Sequence, residues 1–413
     1  MTVCVVDLGA GHGHHAHYLK LLVEAWREHG RDEVLAISVR RSLLDRHRDL
    51  ALASDANVGI NIVPLSVEAE AAVERSLSTT EVPMASVLPQ GKPAASVSTL
   101  WQVAQSVASR FSARHLFLTD LDRLMPALAG HLPGACTVSG IWFQPRFHYR
   151  ALSWPGAPAT AFEAAEKWMV ARALANPDLQ NLLVLDPFAA ARLADASQGG
   201  DKVRWLADPL ARYPSADRNA ARRRLDLADR FAVLHFGELS HRKGIVELVT
   251  ACGMLKRSVA DRIVLLLAGS MSDLDHSLIA ALIDRARQAG CAVLDMPQFA
   301  SDALAGDLFA GADLVSVAYA RHAGMSGVLL SAAAHGRPVV AQADGLVGAL
   351  TRQHNLGAVL PAGDPASVAK LLGCIVDAGK VGGFDAGQAV AFAERHDPAH
   401  FKKEVMRALA PRR

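Results

Sequence analysis

Two hydrophobic patterns alternate along the chain. Short, nearly continuous apolar runs fit strands buried on both faces, and between them apolar positions recur every three to four residues, as on one face of a helix. In the first half the runs are Thr2–Leu8, Glu33–Ser38, Val58–Leu65, His115–Thr119, Cys136–Phe143, Asn181–Leu185 and Lys202–Leu206. A glycine turn after the first leads into a helix whose apolar face is Tyr18, Leu21, Leu22, Ala25 and Trp26. Helices are also expected over Ser98–Phe111 and Glu163–Ala173, while Ser76–Ser98, rich in Ser, Thr and Pro, reads as a surface excursion. In the second half, strands at Phe231–Phe236, Arg262–Ala268, Cys291–Leu294 and Leu314–Ala318 alternate with helices at Arg218–Leu227, Leu278–Ala289 and Val328–Ala334 and one that begins within Leu346–Leu350. Such alternation predicts an α/β chain built on parallel sheets.

At 413 residues the chain exceeds one ordinary core, so two domains are expected. Ala207–Asp217, ADPLARYPSAD, carries two prolines and no periodicity and reads as the linker between residues 1–206 and 218–386. Residues 387–413 form a helical tail broken at Asp397-Pro398.

A net charge of +2, with 51% hydrophobic and 20% charged residues, argues against a nucleic-acid partner held by bulk charge. Five scattered cysteines without CxxC spacing imply neither a disulfide framework nor a zinc site. Met1 runs directly into VCVVDLG with no basic leader, and no apolar run reaches membrane-spanning length, so the expected compartment is the cytoplasm. The tail FKKEVMRALAPRR has a basic face. It reads as a solvated helix, with peripheral contact at the inner face of the membrane as the alternative.

Candidate chemistry concentrates in three places. From Ala312 to Val340, a strand, a turn bearing Gly324, Met325, Ser326 and Gly327, and a small-residue helix gather free N–H groups and a helix dipole at one point, an arrangement suited to phosphate. The plain alternative is a βαβ unit whose glycines merely turn the chain. In AVLHFGELSHRKGIVELVTAC, Arg242 and Lys243 stand at a helix start, where cations oppose the dipole unless an anion lies between. Asp120, Asp122, Arg146 and His148 lie beyond strand ends of the first half, where open α/β sheets hold ligands. Asp120 or His148 would take a proton from an acceptor hydroxyl or orient it, as the catalytic pair; Asp120 equally suits a helix cap. The loop with Gly11, Gly13 and His14 faces donor or acceptor but lacks a GxGxxG fingerprint. Its histidines, His12, His14, His15 and His17, have no metal-ligand spacing, which favours substrate hydrogen bonding or plain exposure.

Five segments then resemble, in order and spacing, the C-terminal domain of GT-B glycosyltransferases of the GT4 type. They are VLHFGELSHRKGIVELVTAC, RIVLLLAGS, QFASDALAGDLFAGADLVSVAY, SGVLLSAAAHGRPVVAQ and LGAVLPAGDPASVAKLL, within Leu206–Leu372. The resemblance implies two Rossmann-like domains facing across a cleft, and the tail crossing back to the first. It further implies a nucleotide-sugar donor on the second domain, a glycan, lipid-linked or small-molecule acceptor on the first, sugar transfer with retention, and no metal or other cofactor. It assigns the donor diphosphate to Arg242, Lys243, Ser326 and Gly327, with Glu238, Gly324, Met325 and Ser331 also at the donor site. Three departures stand out. Glu238 occupies the family's arginine position, with Arg242 beside it; Ala323 and Ser331 replace both carboxylates of Glu-x7-Glu; and the family's histidine after Cys136–Phe143 falls near Trp142, with His148 further on. The absent carboxylates keep a second reading open, a non-catalytic nucleotide-sugar-binding or scaffold protein on the same fold.

Overall fold

The computed structural model describes residues 2–9, 15–29, 33–78, 93–152, 160–195, 198–214, 216–271, 273–296, 300–319, 322, 324–361 and 364–410. Gly11, Gly13, His14, Ala323 and most of the Ser76–Ser98 excursion lie outside the described residues. The chain divides into two compact units. The first comprises Met1–Ala151, Gly156–Pro209 and Pro398–Arg413, and the second Leu152–Pro155 and Leu210–Asp397. The boundary between Pro209 and Leu210 falls inside the expected linker. Ala207 and Asp208 are already core residues of the first unit, Asp208 accepting a 2.6 Å hydrogen bond from the Tyr18 hydroxyl.

The first unit is built on a parallel sheet of β1 (Thr2–Asp7), β2 (Val34–Val39), β3 (Ile60–Pro64), β4 (Ala113–Leu118), β5 (Thr137–Trp142), β6 (Leu179–Val184) and β7 (Val203–Trp205), in the order β3-β2-β1-β4-β5-β6-β7. Helices cover both faces, so inner strands such as β1 are buried residue after residue, and this burial gives them continuous apolar runs instead of alternation. The helix His15–His29 packs Leu19, Leu22 and Trp26 onto β1 and β2. The tail helix Pro398–Leu409 adds Phe401, Val405, Met406, Ala408 and Leu409 to the same core. Each large apolar side chain so buried is worth about 1.5–3 kcal/mol. His115 on β4 ties this helix down, its ring nitrogens lying 2.8 Å from Thr137 Oγ1 and 2.9 Å from the Ala408 carbonyl, and burial pushes its pKa down to about 4. Of the tail's basic groups, Lys402 pairs with Glu24 and Glu28 and Arg407 with Glu404. No helix among the described residues is long and apolar enough to cross a membrane.

The second unit repeats the plan with β8 (Phe231–Phe236), β9 (Ile263–Ala268), β10 (Ala292–Met296), β11 (Leu314–Val317), β12 (Val339–Gln342) and β13 (Gly357–Leu360), parallel and ordered β10-β9-β8-β11-β12-β13. The basic helix Arg218–Arg224 is spent on the structure. Arg218 and Arg222 converge on Asp313 and on the carbonyls of Ala310, Gly311 and Ala312, and Arg224 pairs with Asp307.

In each sheet the strand order reverses between two neighbours, β1 and β4 in the first and β8 and β11 in the second. At such a reversal the flanking connections leave in opposite directions and open a crevice beyond the carboxyl ends of the strands.

Candidate functional site

Beyond β1 and β4 a polar network closes around Asp7, which is fully buried. Asp7 Oδ1 accepts the Gly9 N–H at 2.8 Å; Oδ2 accepts the Thr119 hydroxyl at 2.8 Å and lies 2.7 Å from His15 Nδ1. Burial opposes charge on both partners, yet the bond between them prevails. His15, with Asp7, Asp120 and Asp122 around it, is carried up to about 9, and Asp7 is held below the ordinary carboxylate range by His15, Thr119 and Gly9. The pair is therefore an ion pair at neutral pH, with Nδ1–H as donor. Phe143 stacks on the imidazole at 5.9 Å between ring centres. A side chain at position 9 would bring its Cβ to 2.8 Å from His15 Cε1, so this close approach requires glycine.

Asp120 has a local bond of its own, accepting the Asp122 N–H at 2.8 Å, while Asp122 accepts from the Phe143 and Gln144 amides at 2.8 and 3.2 Å. Asp120 thus braces a turn, and the next helix, Met125–Ala129, begins after Leu124 without a side-chain cap. Burial raises both carboxyls, with the charge of Asp7 adding to the rise at Asp120 and that of Asp120 to the rise at Asp122, which reaches about 8. A cavity of about 390 Å³ opens here, lined by Leu8, Gly9, His15, Leu77, Leu100, Asp120, Arg123 and Leu124.

His148 is elsewhere. It sits in the turn Arg146–Leu152, 2% exposed, with Nε2 2.9 Å from Asp186 Oδ2. Asp186 in turn caps the helix Pro187–Ala194 through the Phe188 and Ala189 amides. The expectation that His148 stands open to a substrate is corrected: it is enclosed, and its visible partner is structural.

Beyond β8 and β11, two glycine-bearing turns meet. Arg242 pairs with Glu238 at 2.6 Å and donates to His322 Nδ1 at 3.1 Å. His322 Nε2 lies 2.8 Å from the Met325 carbonyl, which fixes the tautomer with the proton on Nε2. Lys243 is half-buried with its ammonium 4.1 Å from the centre of the Tyr319 ring, a cation–π contact. The Tyr319 hydroxyl is 3.0 Å from Ser326 Oγ. Ser326 is 2% exposed and caps the helix Gly327–Ala334 through the Leu329 amide, so its hydroxyl is engaged within the turn. Among the described residues the Gly327 and Val328 amides carry no hydrogen bond. Gly244, at φ +76°, fits against β11 so closely that a Cβ would lie 2.2 Å from the Ala318 carbonyl. The turns are thereby pinned together, and Arg242, Lys243, Gly324, Met325, Ser326 and Gly327 lie in one neighbourhood.

Desolvation, with Arg242 adjacent, lowers Lys243 to about 8, and no carboxylate lies within ion-pair distance of it among the described residues. Ser331 is buried on the helix Gly327–Ala334; burial and Asp302 raise the Tyr213 phenol above its ordinary value, and the Ser331 hydroxyl only reduces that rise. Glu238 is exposed and engaged with Arg242. Among the described residues no group of three or more His, Cys, Asp or Glu is placed to hold a metal.

Sequence reasoning gave no role to Asp7, Thr119, Tyr319 or His322, and named His15 only as one of four loop histidines suited to substrate hydrogen bonding or plain exposure. The available signal was positional: each stands at, or shortly after, the end of a strand flanking a reversal of strand order.

Residues 230–378 match the family described as glycosyl transferases group 1. No curated protein matches the sequence. Among solved structures, HepE of Anabaena in complex with UDP is 15% identical, with 99% of each chain covered and a TM-score of 0.62. An α,α-trehalose-phosphate synthase (UDP-forming) from Burkholderia vietnamiensis is 13% identical over 99% of each chain at 0.64. WaaG, a glycosyltransferase involved in lipopolysaccharide biosynthesis, is 14% identical over 99% of this chain and 100% of its own at 0.62. The chain thus has the two-domain GT-B fold over its whole length, and its second unit resembles the group 1 glycosyltransferases in sequence.

Proposed function

We propose that this chain is a glycosyltransferase that moves a sugar from a nucleoside diphosphate sugar to a hydroxyl acceptor, with retention and without a metal. The observation that carries the reading is the junction of the two turns in the second unit. Lys243, resting on Tyr319, and Arg242, braced by His322, stand beside the start of the helix Gly327–Ala334; among the described residues Lys243 has no carboxylate partner and the Gly327 and Val328 amides are unspent. Two cations and a helix start in one place suit a diphosphate. The match to group 1 glycosyltransferases over residues 230–378 and the UDP complex of HepE support a nucleotide-sugar donor.

In the proposed step the bond from the sugar's anomeric carbon to the diphosphate oxygen breaks, its electron pair leaving on the phosphate. The acceptor oxygen bonds to that carbon from the same face, and the acceptor's proton ends on the departing diphosphate. Catalysis then rests on stabilising charge that grows on the leaving group. At an effective dielectric near 20, a cation about 4 Å from a phosphate oxygen contributes about 4 kcal/mol. Asp120, at the cavity of the first unit, orients the acceptor hydroxyl; His148 has no direct part.

A panel of nucleoside diphosphates in a thermal melt tests the reading. At least one should raise the melting temperature by linkage, and Lys243→Ala should lose that shift. Equal shifts in wild type and Lys243→Ala would remove the diphosphate role. The replacement of both family carboxylates, at Ala323 and Ser331, favours a second reading, a nucleotide-sugar binder without turnover. Binding of donor with neither hydrolysis nor transfer would select it.

A further inference from the structure

The cavity beyond β1 and β4 has two unlike ends. Leu8, Leu100 and Leu124 are buried and Leu77 half-buried, and these leucines form an apolar wall. His15 and Asp120 form a polar end, with Arg123 exposed at the margin. His15 is fixed in orientation by Asp7 at Nδ1 and by Phe143 against its face, and as the charged partner of Asp7 it keeps its second N–H, at Nε2, to offer. Asp120 retains Oδ2 as an acceptor, its Oδ1 being used by the Asp122 amide. A donor beside an acceptor matches a hydroxyl, which is both. The leucine wall is poor lodging for a fully hydrated sugar, because desolvating several hydroxyls without partners costs about 1–3 kcal/mol each. It suits methylene or aromatic carbon, and the volume of about 390 Å³ holds roughly a dozen groups the size of a water molecule.

We propose that this cavity takes an acceptor whose hydroxyl is joined to an apolar body, an alkyl or aryl aglycone, with the hydroxyl at the His15–Asp120 end and the body against Leu8, Leu77, Leu100 and Leu124. The inference rests on the sugar-transfer reading for the word acceptor, while the cavity's preference is measured without turnover.

The test titrates the full chain with octyl β-D-glucopyranoside below its micelle concentration, with methyl β-D-glucopyranoside, and with 1-octanol, by calorimetry or ligand-observed NMR. The octyl compounds should bind at least about tenfold more tightly than the methyl glycoside, the increment expected when several methylenes leave water. Leu77→Gln, at a half-buried position, should remove that preference while keeping the melting temperature, and Asp120→Asn should weaken octanol binding. Equal affinity for octyl and methyl compounds, no octanol binding, or a preference unchanged in Leu77→Gln would overturn the proposal. A nucleoside diphosphate shift retained alongside any of those results would leave the donor reading standing. Co-sedimentation with phosphatidylcholine vesicles carrying a long-chain alkyl glucoside assigns the apolar body to a membrane lipid; binding of the soluble glycosides without co-sedimentation assigns it to a free amphiphile, and both outcomes support the class.

Discussion

The guanidinium of Arg242 lies 2.6 Å from the carboxylate of Glu238, four residues earlier in sequence, and also reaches His322 at 3.1 Å. Glu238 occupies the position where the resembled family carries arginine, so the pair places a guanidinium beside that position with the charges exchanged. An exposed ion pair contributes little to stability, about 0–1 kcal/mol, so its placement is better explained by what it holds.

Arg242→Ala should therefore leave the melting temperature nearly unchanged and weaken nucleoside diphosphate binding by about tenfold to a hundredfold, the value of one charge-assisted contact. Arg242→Glu should abolish binding, and adding Glu238→Arg to it should recover part. Calorimetric affinities for the three proteins check this; no recovery in the double variant would break the link between the two positions.

Lys243 yields a pH dependence. Burial lowers its pKa to about 8, from an ordinary 10.5, so the folded state binds fewer protons than the unfolded between those values. Stability from this group thus rises with pH across that window, while affinity for a diphosphate falls above about 8 as the ammonium is lost. A bound anion should push the pKa back up. Affinity measured from pH 7 to 10 should decline in wild type and more weakly in Lys243→Ala; matching declines in the two proteins would place the titrating group elsewhere.

His15 behaves in the opposite sense. Its folded pKa, carried to about 9 by Asp7 against the cost of burial, exceeds the ordinary 6.5. The stability it contributes is fully present below about 6.5 and is lost as pH rises through about 9. Asp7→Asn should bring the His15 titration, followed by NMR of its ring protons, below the ordinary range, since burial then acts without the counter-charge. The fall in melting temperature that His15 contributes between pH 6.5 and 9 should disappear, leaving the rise from Lys243 above about 8. A His15 titration left near 9 in Asp7→Asn would show that Asp120 and Asp122 hold the charge.

The strands were legible because helices on both faces demand unbroken apolar runs: β8 at Phe231–Phe236 coincides with its run in sequence, and β9 begins one residue inside its own. The turn before the helix Gly327–Ala334 was legible from its polar, glycine-bearing stretch, but the use of Ser326 was not: expected at the diphosphate, its hydroxyl caps the helix through the Leu329 amide. What could not be read is which polar groups across the sheet meet. Asp7 and Thr119 are more than a hundred residues apart, and only the β1–β4 pairing joins them. His15 was hidden among its neighbouring histidines, because sequence does not tell which ring turns toward Asp7. His148 misled for the converse reason: it follows a strand end, as ligand-binding residues do, but Asp186 from the next crossover takes it inward.

His148 gives a last separation of structure from chemistry. Both side chains of the His148–Asp186 pair are almost wholly buried, and Asp186 also anchors the helix Pro187–Ala194. Removing the ring empties an enclosed site and leaves the buried Asp186 carboxylate without its neighbour, at a cost of about 1–3 kcal/mol. His148→Ala should therefore lower the melting temperature by several degrees while turnover per folded molecule, measured well below that temperature, stays within about threefold of wild type. Asp120→Asn should do the reverse, losing turnover with little change in melting. If His148→Ala melted like wild type but lost transfer, the histidine would have to leave its pocket during the reaction, and the assignment of the acceptor hydroxyl to Asp120 would fall.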